Sequence, residues 1–367
     1  MNITHLVESL DTGGLERVVV SLAGAQCRQG HAVTVVCLFH EGELAPELRA
    51  LGVEVVSSHK RSGLDWRALR TIRDVLRRTA ADVLHTHNPI PHYYGVLAAI
   101  GLGVGCILNT RHGMGMFPFS WKRELLYRLA MFGSDYGVAV CRAAQVNFRQ
   151  KGIIPAGKGR CIPNGIELDS FAQRTSTAKN QLLANLGRAG VPLVFGIVGR
   201  LNAAKDHACL LQAMASLVKQ HKDVHLVIVG DGECRSELED KTASLGLAQV
   251  VTFLGRRGDV SHLLMAFDVF VLSSRTEGYS LALVEAAATA LPIVATNVGG
   301  NGEIVTDGVT GLLVPKEDPR ALCDAMLRLA CDEPLRVKMG LAAQVWAQRV
   351  GSLDAMAKAY ERLYSRQ

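Results

Sequence analysis

The stretch that decides the fold is Val269-Phe-Val-Leu-Ser-Ser-Arg-Thr-Glu-Gly-Tyr-Ser-Leu-Ala-Leu-Val-Glu285. Its apolar start predicts a buried strand, and a helix rich in Ala and Leu is predicted to begin near Ser280, after a polar turn that contains a glycine. Such a junction directs free backbone N–H groups and the positive end of a helix at one point, which suits a phosphate. Glu277 lies on the loop, and Glu285 lies about a turn and a half into the helix. Two carboxylates at different depths along one elongated ligand suit a nucleotide sugar.

Length and composition indicate two domains without a membrane anchor. At 367 residues and 39.5 kDa the chain exceeds what one core usually supports, and 49% apolar residues are ample for burial. Residues 2–7 predict a first strand rather than the core of a signal peptide. The most apolar stretch, residues 94–108, is too short to span a bilayer and is interrupted by glycines. We expect a cytoplasmic protein, with association at the inner face of the membrane as an open alternative.

The cysteines predict reduced thiols. Nine cysteines are scattered along the chain without a Cys-x-x-Cys spacing. An odd count without paired spacing favours a cytosolic protein and disfavours a structural zinc site.

The net charge of +6 includes one basic cluster in the first half of the chain. Its members are Lys60, Arg61, Arg67, Arg70, Arg73, Arg77 and Arg78. A solvated helix face is the simpler interpretation, and contact with anionic lipid headgroups or a pyrophosphate-bearing acceptor is the alternative. Nucleic acid is not expected as a partner, because no aromatic stacking platform accompanies the charge.

Strand-like and helix-like segments alternate almost throughout, which predicts α/β domains with parallel sheets. The predicted strands are residues 3–7, 33–38, 53–56, 83–87, 107–110 and 136–140 in a first series, and 193–198, 226–229, 250–253, 269–272, 293–295 and 312–314 in a second. We predict two Rossmann-like, doubly wound domains over residues 1–172 and 173–350, and a C-terminal helix in residues 351–367 that packs back on the first domain. The polar stretch 173–190 is predicted to connect the domains. Ligands in such sheets bind beyond the C-terminal strand ends, so both domains would present loops to a central cleft.

Two cations follow the first strand of the second series. In Gly196-Ile-Val-Gly-Arg-Leu-Asn-Ala-Ala-Lys-Asp206, Arg200 and Lys205 come directly after a buried strand. Arg can contact two phosphate oxygens at once and Lys acts as a point charge. A surface pair is the alternative, but cations are disfavoured at a helix start, so a diphosphate contact is favoured.

Two features of the first half are weaker signals. Gly13 and Gly14 precede a helix, where glycine permits positive φ and close approach of backbone to a ligand, although a plain tight turn also explains them. The motif is not Gly-x-Gly-x-x-Gly, so a dinucleotide site is unsupported. His112 follows a predicted strand, on a loop expected to face the cleft.

Residues 114–132 combine aromatic and leucine side chains with lysine and arginine. This combination suits a helix at a membrane interface, and a helix that covers the core beside the cleft is the equal alternative. No Asp-x-Asp occurs in the chain, so phosphate would be neutralised by side chains and helix ends rather than by a divalent cation.

Taken together, these residues resemble glycosyltransferase family 4, the retaining nucleotide-sugar transferases with the GT-B fold. The matching segments follow one another along nearly the whole chain. They are residues 13–16, 82–87, 162–166, 199–201 with Lys205, 253–255, 277–280 through 285–286, Pro292, 299–300 with Glu303, and 311–314. The resemblance implies a hexosyltransferase that moves a sugar from a UDP- or GDP-sugar to a glycan or lipid-linked acceptor in surface-polysaccharide or lipopolysaccharide assembly.

The resemblance also implies roles for side chains. Arg200 and Lys205 would hold the donor diphosphate and stabilise the charge of the leaving nucleotide. Glu285 would bind the ribose hydroxyls, Glu277 the donor sugar, and His112 would contact and orient that sugar. No cofactor and no divalent metal are expected.

Backbone groups would complete the donor site. The N–H groups of Gly278, Tyr279, Ser280 and Leu281 would meet phosphate or sugar oxygens, and Gly14 would leave space for the diphosphate and the acceptor. The resemblance implies retention through same-face attack, and a covalent carboxylate nucleophile is the older alternative.

Four positions depart from the usual family pattern. Cys141 stands where Ser is general, Asp206 and Ala290 stand where Gly is usual, and Tyr279 stands where Phe is frequent. None removes a charged donor contact. The other functions considered are a nucleotide-sugar epimerase, a phosphorylase on the same scaffold, and a catalytically silent partner subunit.

Overall fold

The computed structural model describes residues 1–114, 120–171, 175–187 and 192–366. The chain divides into two compact units, Met1–Ile166 with Leu353–Gln367, and Glu167–Ser352. The sequence placed the corresponding boundaries at residues 172/173 and 350/351.

The first unit is built on a seven-stranded parallel sheet. Its strands are β1 Asn2–Val7, β2 Ala32–Cys37, β3 Glu54–Ser57, β4 Val83–His87, β5 Cys106–Arg111, β6 Tyr136–Ala139 and β7 Gly159–Cys161. Its helices before the second unit are α1 Gly14–Arg28, α2 Ala45–Ala50, α3 Trp66–Arg78, α4 Pro89–Ala99, α5 Trp121–Ala130 and α6 Arg142–Gln150. The strand order β3-β2-β1-β4-β5-β6-β7 is that of a doubly wound sheet.

Alternation along the strands supplies a core on each face of this sheet. Leu6 of β1 belongs to a buried cluster with Ile72 of α3. The next residue, Val7, belongs to a second cluster, with Val19 of α1. Because successive strand side chains point to opposite faces and helices cover both sides, most strand residues are buried. β7 was missed in the sequence because its three residues, Gly159–Cys161, contain no apolar run.

The second unit has a six-stranded parallel sheet. Its strands are β8 Leu193–Val198, β9 Val224–Val229, β10 Val251–Gly255, β11 Val269–Leu272, β12 Ile293–Thr296 and β13 Gly311–Val314. Its helices are α7 Ser176–Asn185, α8 His207–Gln220, α9 Arg235–Ser244, α10 Val260–Met265, α11 Leu281–Ala288, α12 Asn301–Ile304, α13 Pro319–Cys331 and α14 Glu333–Val350. The order β10-β9-β8-β11-β12-β13 repeats the doubly wound arrangement. Two parallel-sheet α/β domains, as predicted, are therefore confirmed.

The predicted connection over residues 173–190 contains a helix. Helix α7 is capped by Thr175, whose hydroxyl accepts a hydrogen bond from the N–H of Ala178 at 3.1 Å. Lys179 Nζ of this helix lies 2.5 Å from Asp268 Oδ2, which also accepts the N–H of Val194. The segment is thus held to the second unit, and the weak apolar periodicity hid the helix. Residues 173, 174 and 188–190 of the prediction lie outside the described residues.

The last helix, α15 Leu353–Tyr364, belongs to the first unit. It lies within residues 351–367, where the sequence predicts a C-terminal helix. Tyr360 and Tyr364 are buried, and their hydroxyls bond to Thr110 at 2.9 Å and to His85 at 2.8 Å. No helix among the described residues is both long and apolar enough to cross a membrane.

Three departures from the family pattern occupy helix ends. Cys141 caps α6, its Sγ accepting the N–H of Ala144 at 3.3 Å. Asp206 caps α8 in the left-handed conformation, with φ of 48°, which Asp tolerates better than most residues. Ala290 follows α11 with φ of 58°, where its Cβ is strained.

We predict that Ala290→Gly stabilises the second unit. Glycine removes the left-handed strain of Ala290, against a smaller entropic loss, for a net gain of about 1 kcal/mol. The melting temperature should rise by roughly 2–4 °C in thermal unfolding followed by circular dichroism. Ala287→Gly, within the same helix, is the matched control and should lower it. An unchanged or lower melting temperature for Ala290→Gly would contradict the assignment of strain.

Candidate functional site

The loops that carry most of the predicted site residues meet at one edge of the second sheet. Strands β8, β11 and β12 are parallel neighbours, so the loops at residues 199–206, 273–280 and 297–300 leave the sheet on the same side. The chain continues from β8 to β9 and from β11 to β12, in opposite directions along the strand order. Ligands in doubly wound folds bind beyond the carboxyl ends of strands at such a switch point.

Lys205 and Glu277 form the central contact of this edge. Lys205 Nζ lies 2.6 Å from Glu277 Oε1, and their side chains are 20% and 11% exposed. The hydroxyl of Ser274 donates to the same carboxylate oxygen at 2.6 Å. A cation and an acid that were singled out separately in the sequence are therefore brought into one ion pair.

The backbone at Lys205 is fixed by residues that the sequence analysis missed. The Ser273 hydroxyl lies 3.0 Å from the carbonyl oxygens of both Lys205 and Asp206. Arg275 Nε donates to Asp206 Oδ2 at 3.0 Å, and its backbone N–H donates to the carbonyl of Ala204 at 2.8 Å. Ser-Ser-Arg directly after a buried strand was the available signal, because polar residues at that place must satisfy their bonds locally.

Arg200 lies apart from this ion pair. Its side chain is 70% exposed, and Nη2 lies 3.2 Å from Glu233 Oε2. Such an exposed pair contributes little stability, so the guanidinium can exchange Glu233 for another anion at small cost.

Close backbone approach shapes the loop after β11. Gly299 has φ of 54°, and a Cβ there would collide with the carbonyl oxygen of Glu277. The N–H of Gly300 donates to the carbonyl of Gly278 at 2.9 Å. The two loops therefore hold each other, which explains why a Gly-Gly pair follows β12.

Helix α11 starts at the predicted place. Ser280 is its N-cap, and Leu281 is its first residue. The N–H groups in the first turn of a helix have no partner within that helix. Tyr279 is buried, and Glu285 lies half-buried on the second turn.

In the first unit, the glycine pair does not use the positive φ that glycine permits. Gly13 caps α1 with φ of −162°, an extended conformation open to any residue, and Gly14 is the first helical residue. A Cβ at residue 13 would come close only to the carboxylate of Glu16, which is the end of a flexible side chain, so a shift of that side chain would admit it.

His112 ends a chain of buried hydrogen bonds in the first unit. Its Nε2 lies 3.0 Å from Nδ1 of His87, and Nε2 of His87 lies 3.1 Å from Nδ1 of His5. Nε2 of His5 lies 2.7 Å from Oε1 of Gln26. Within the described ranges, Nδ1 of His112 is buried without a hydrogen-bond partner. The sequence shows that His85 and His87 alternate on β4, but the pairing of His5 with His85 follows from the strand register, which the sequence does not show.

These imidazoles are neutral near pH 7. Burial lowers the pKa of His5 to about 4 and that of His112 to about 3. Burial, together with the neighbouring imidazoles, lowers the pKa values of His85 and His87 well below the usual value.

Three of these histidines are close enough to be considered as metal ligands. One nitrogen from each of His5, His85 and His87 lies within 4.8 Å of the others. Both nitrogens of His85 already bond, to Tyr364 and Thr110, and those of His5 and His87 bond as described above. A metal would have to break these bonds, so the group does not fit a preformed metal site.

Comparisons with known proteins identify related families. A family model described as Glycosyltransferase Family 4 matches residues 12–170, and one described as Glycosyl transferases group 1 matches residues 192–332. The UDP-Gal:alpha-D-GlcNAc-diphosphoundecaprenol alpha-1,3-galactosyltransferase of Escherichia coli is 30% identical over 285 residues, which cover 74% of this chain and 72% of that protein. A D-inositol 3-phosphate glycosyltransferase of Corynebacterium urealyticum is 35% identical over 216 residues, covering 55% of this chain and 50% of that one.

A solved structure shares the fold. HepE of Anabaena, in complex with UDP and glucose, superposes with a TM-score of 0.89 at 23% identity, and the match covers both chains completely.

We predict that the first unit loses stability below about pH 6.5, the usual pKa of an unfolded histidine. Five of its histidines, at positions 5, 85, 87, 92 and 112, have lowered pKa values in the folded state. The unfolded chain then binds more protons, and each such histidine removes up to about 1.4 kcal/mol per pH unit down to its folded pKa. Glu8 and Glu16 act in the opposite sense, because burial raises their pKa.

Urea unfolding at pH 7.5, 6.5 and 5.5 measures this effect. The unfolding free energy should fall by several kcal/mol between the last two values. His92→Gln, outside the chain to His112, should show a shallower fall. Equal stability at all three pH values would contradict the burial of neutral imidazoles.

Proposed function

The chain belongs to glycosyltransferase family 4, and we propose that it is a retaining, metal-independent hexosyltransferase acting on a UDP- or GDP-sugar. The observation that carries the proposal is the Lys205–Glu277 pair at the carboxyl ends of β8 and β11. The glycosyltransferase relatives, and the nucleotide bound by HepE, support a nucleotide-sugar donor. They do not favour an epimerase, a phosphorylase or a silent subunit.

Lys205 and Arg200 stabilise the departing diphosphate in this proposal. Bond cleavage leaves negative charge on the nucleotide, and cations held in place beforehand lower the energy of that charge as it develops. Glu277 orients Lys205 before the donor binds, and then contacts the donor sugar. Two cations and a helix N-terminus supply the charge that a divalent ion would otherwise supply.

The remaining roles follow the shape of the donor. Glu285 accepts hydrogen bonds from the ribose hydroxyls, and the N–H groups at residues 278–281 meet phosphate or sugar oxygens. His112 contacts the donor sugar, and Gly14 leaves room for the diphosphate and the acceptor. Configuration is retained by attack on the same face, with the leaving phosphate as the nearest base.

The acceptor is a glycan or a lipid-linked saccharide. The printed name of the E. coli relative includes a diphosphoundecaprenol-linked sugar, whereas that of the C. urealyticum relative names inositol 3-phosphate. An exposed apolar and basic helix in the first unit supports the lipid-linked class, and with it surface-polysaccharide assembly.

We predict that Lys205→Ala and Arg200→Ala each lower turnover by at least ~10²-fold, the scale of losing one preorganised stabilising group. The assay is release of UDP or GDP from a panel of nucleotide sugars, first without acceptor. Lys219→Ala, an exposed lysine near the end of α8, is the control and should retain activity. Excess EDTA should leave the rate unchanged.

Near-normal turnover in both Lys205→Ala and Arg200→Ala would contradict their roles. Loss of activity in EDTA that Mg²⁺ or Mn²⁺ restores would contradict metal independence.

Peripheral contact with an anionic membrane is assigned to the outer face of α5. Its exposed side chains are Trp121, Lys122, Arg123, Leu125, Leu126, Arg128 and Leu129. The inner face is anchored by a buried ion pair, in which Arg111 Nη1 lies 2.9 Å from Glu124 Oε1. Apolar and cationic side chains on one exposed face suit the headgroup region of an anionic bilayer. Residues 115–119 before this helix lie outside the described residues.

The basic cluster around α3 supports such a role less well. Arg73 donates to the carbonyls of Ala98 and Ile100, and Arg78 pairs with Glu54 at 2.7 Å. Lys60 donates to the carbonyls at residues 61 and 63. These contacts favour the interpretation as a solvated face.

We predict that Leu125→Ser with Leu129→Ser weakens vesicle binding by at least about tenfold, because two apolar side chains lose their burial in lipid. Flotation with phosphatidylcholine vesicles, with and without phosphatidylglycerol, measures it. Leu341→Ser, at an exposed leucine of α14, is the matched control. Undiminished binding of the double variant, or no binding of the unaltered protein to anionic vesicles, would contradict the assignment.

A further inference from the structure

We propose that the hydrogen-bond chain from Gln26 through His5 and His87 fixes His112 in its Nε2-protonated tautomer, so that Nδ1 accepts a hydrogen bond from a hydroxyl of the donor sugar. The inference rests on the proposed contact between His112 and that sugar. It makes Gln26, His5 and His87 positioning residues, and it specifies the chemistry of the ligand group that His112 takes.

The direction of the chain follows from its first bond. Oε1 of Gln26 only accepts, so Nε2 of His5 carries the proton across their 2.7 Å contact. The Nδ1 of neutral His5 must then accept from Nε2 of His87, at 3.1 Å. By the same rule Nδ1 of His87 accepts from Nε2 of His112, at 3.0 Å. A neutral imidazole has one donor and one acceptor, so each ring transmits the choice to the next.

A second branch holds the Gln26 amide in this orientation. Nε2 of Gln26 donates to the Tyr364 hydroxyl at 3.0 Å, and that hydroxyl donates to Nδ1 of His85 at 2.8 Å. Nε2 of His85 then donates to Thr110 Oγ1 at 2.8 Å. Exchange of the amide oxygen and nitrogen would reverse every bond in both branches, so the chain changes direction only as a whole.

Neutral rings are what the chain requires. Protonation of His5 or His87 would turn an acceptor into a donor and set two N–H groups against each other, and protonation of His112 at Nδ1 would remove the acceptor offered to the sugar. Burial lowers the pKa of His5 to about 4 and that of His112 to about 3, so these rings stay neutral near pH 7.

The chain ends on an atom that still needs a partner. Within the described part of the chain, Nδ1 of His112 is buried and makes no hydrogen bond. The backbone N–H of His112 donates to Asn88 Oδ1 at 3.2 Å, which holds the main chain at this residue. An unprotonated imidazole nitrogen accepts a hydrogen bond from a hydroxyl group, and it repels a carboxylate or phosphate oxygen. The site therefore prefers a sugar with a free hydroxyl at this place over a uronate or a deoxy sugar.

Nitrogen NMR of the unliganded protein tests the tautomer without any assay of activity. Protein labelled with ¹⁵N-histidine is recorded at pH 7.5 through two-bond ¹H–¹⁵N correlations, and His112→Asn identifies the His112 signals by their loss. One tautomer, with Nε2 protonated and Nδ1 bare, is expected. Protonation of His112 at Nδ1, protonation at both nitrogens, or a mixture of tautomers would overturn the proposal. One zinc ion bound per chain would also overturn it, because a metal would have to break the hydrogen bonds between the histidines.

Two variants separate positioning from general loss of structure. Gln26→Met keeps the length of the side chain and removes the acceptor, so the His112 signals should become those of a tautomer mixture. His92→Gln changes another buried histidine, bonded to Thr86 and Ser134, and should leave the His112 signals unchanged. If His112 keeps its single tautomer in Gln26→Met, Gln26 is not a positioning residue.

Kinetics with donor analogues tests the ligand chemistry. The analogues are made from the nucleotide sugar that the donor panel identifies. At one sugar position we expect both the deoxy and the deoxyfluoro analogue to lose about 3- to 10-fold in kcat/KM, because fluorine cannot donate a hydrogen bond. This loss should disappear in His112→Ala. A fluoro analogue as good as the parent at every position sensitive to His112 would overturn the assigned direction. Absence of any transfer would instead contradict the proposed function and leave the NMR result standing.

Discussion

The ion pair between Lys205 and Glu277, with 2.6 Å between Nζ and Oε1, is the contact on which the second unit's site depends. Both side chains are largely withdrawn from water, so neither charge is tolerated without the other. The two residues lie on loops after neighbouring parallel strands, and Ser273, Ser274 and Arg275 bond to those loops. A cation held in this way needs little rearrangement when an anionic ligand arrives, and this preorganisation is what stabilisation of a leaving diphosphate requires.

Buried polar chemistry distinguishes the first unit. Its sheet carries neutral imidazoles where most strands carry apolar side chains. His5, His85 and His87 are each accommodated because two neighbouring side chains complete their hydrogen bonds. The same burial makes the unit sensitive to acid and, in our proposal, makes Nδ1 of His112 a hydrogen-bond acceptor. Stability and specificity thus come from one set of bonds, with Tyr364 linking the end of the chain to its first strand through Gln26.

Sequence patterns predicted what depends on local periodicity. The bounds predicted for β4, β8 and β11 are those observed, because each is a short run of buried residues ended by a polar turn. The sequence patterns missed β7, because it has only three residues, and α7, because its apolar periodicity is weak. The glycine pair at residues 13 and 14 permits positive φ or a tight turn, and the pattern does not tell that Gly13 is extended, a conformation open to any residue. The pairing of Lys205 with Glu277 and the chain to His112 depend on strand order, which short-range patterns do not contain.

Calorimetric titration of a nucleoside diphosphate and its monophosphate tests whether Lys205 holds the diphosphate. The ligand pair is UDP with UMP, or GDP with GMP, whichever diphosphate binds, and each ligand is titrated into the unaltered protein and into Lys205→Met. We expect the diphosphate to bind at least about tenfold tighter than the monophosphate, and this ratio to fall close to one in Lys205→Met. A ratio that survives the loss of Lys205, or the binding of neither diphosphate, would contradict this role of Lys205.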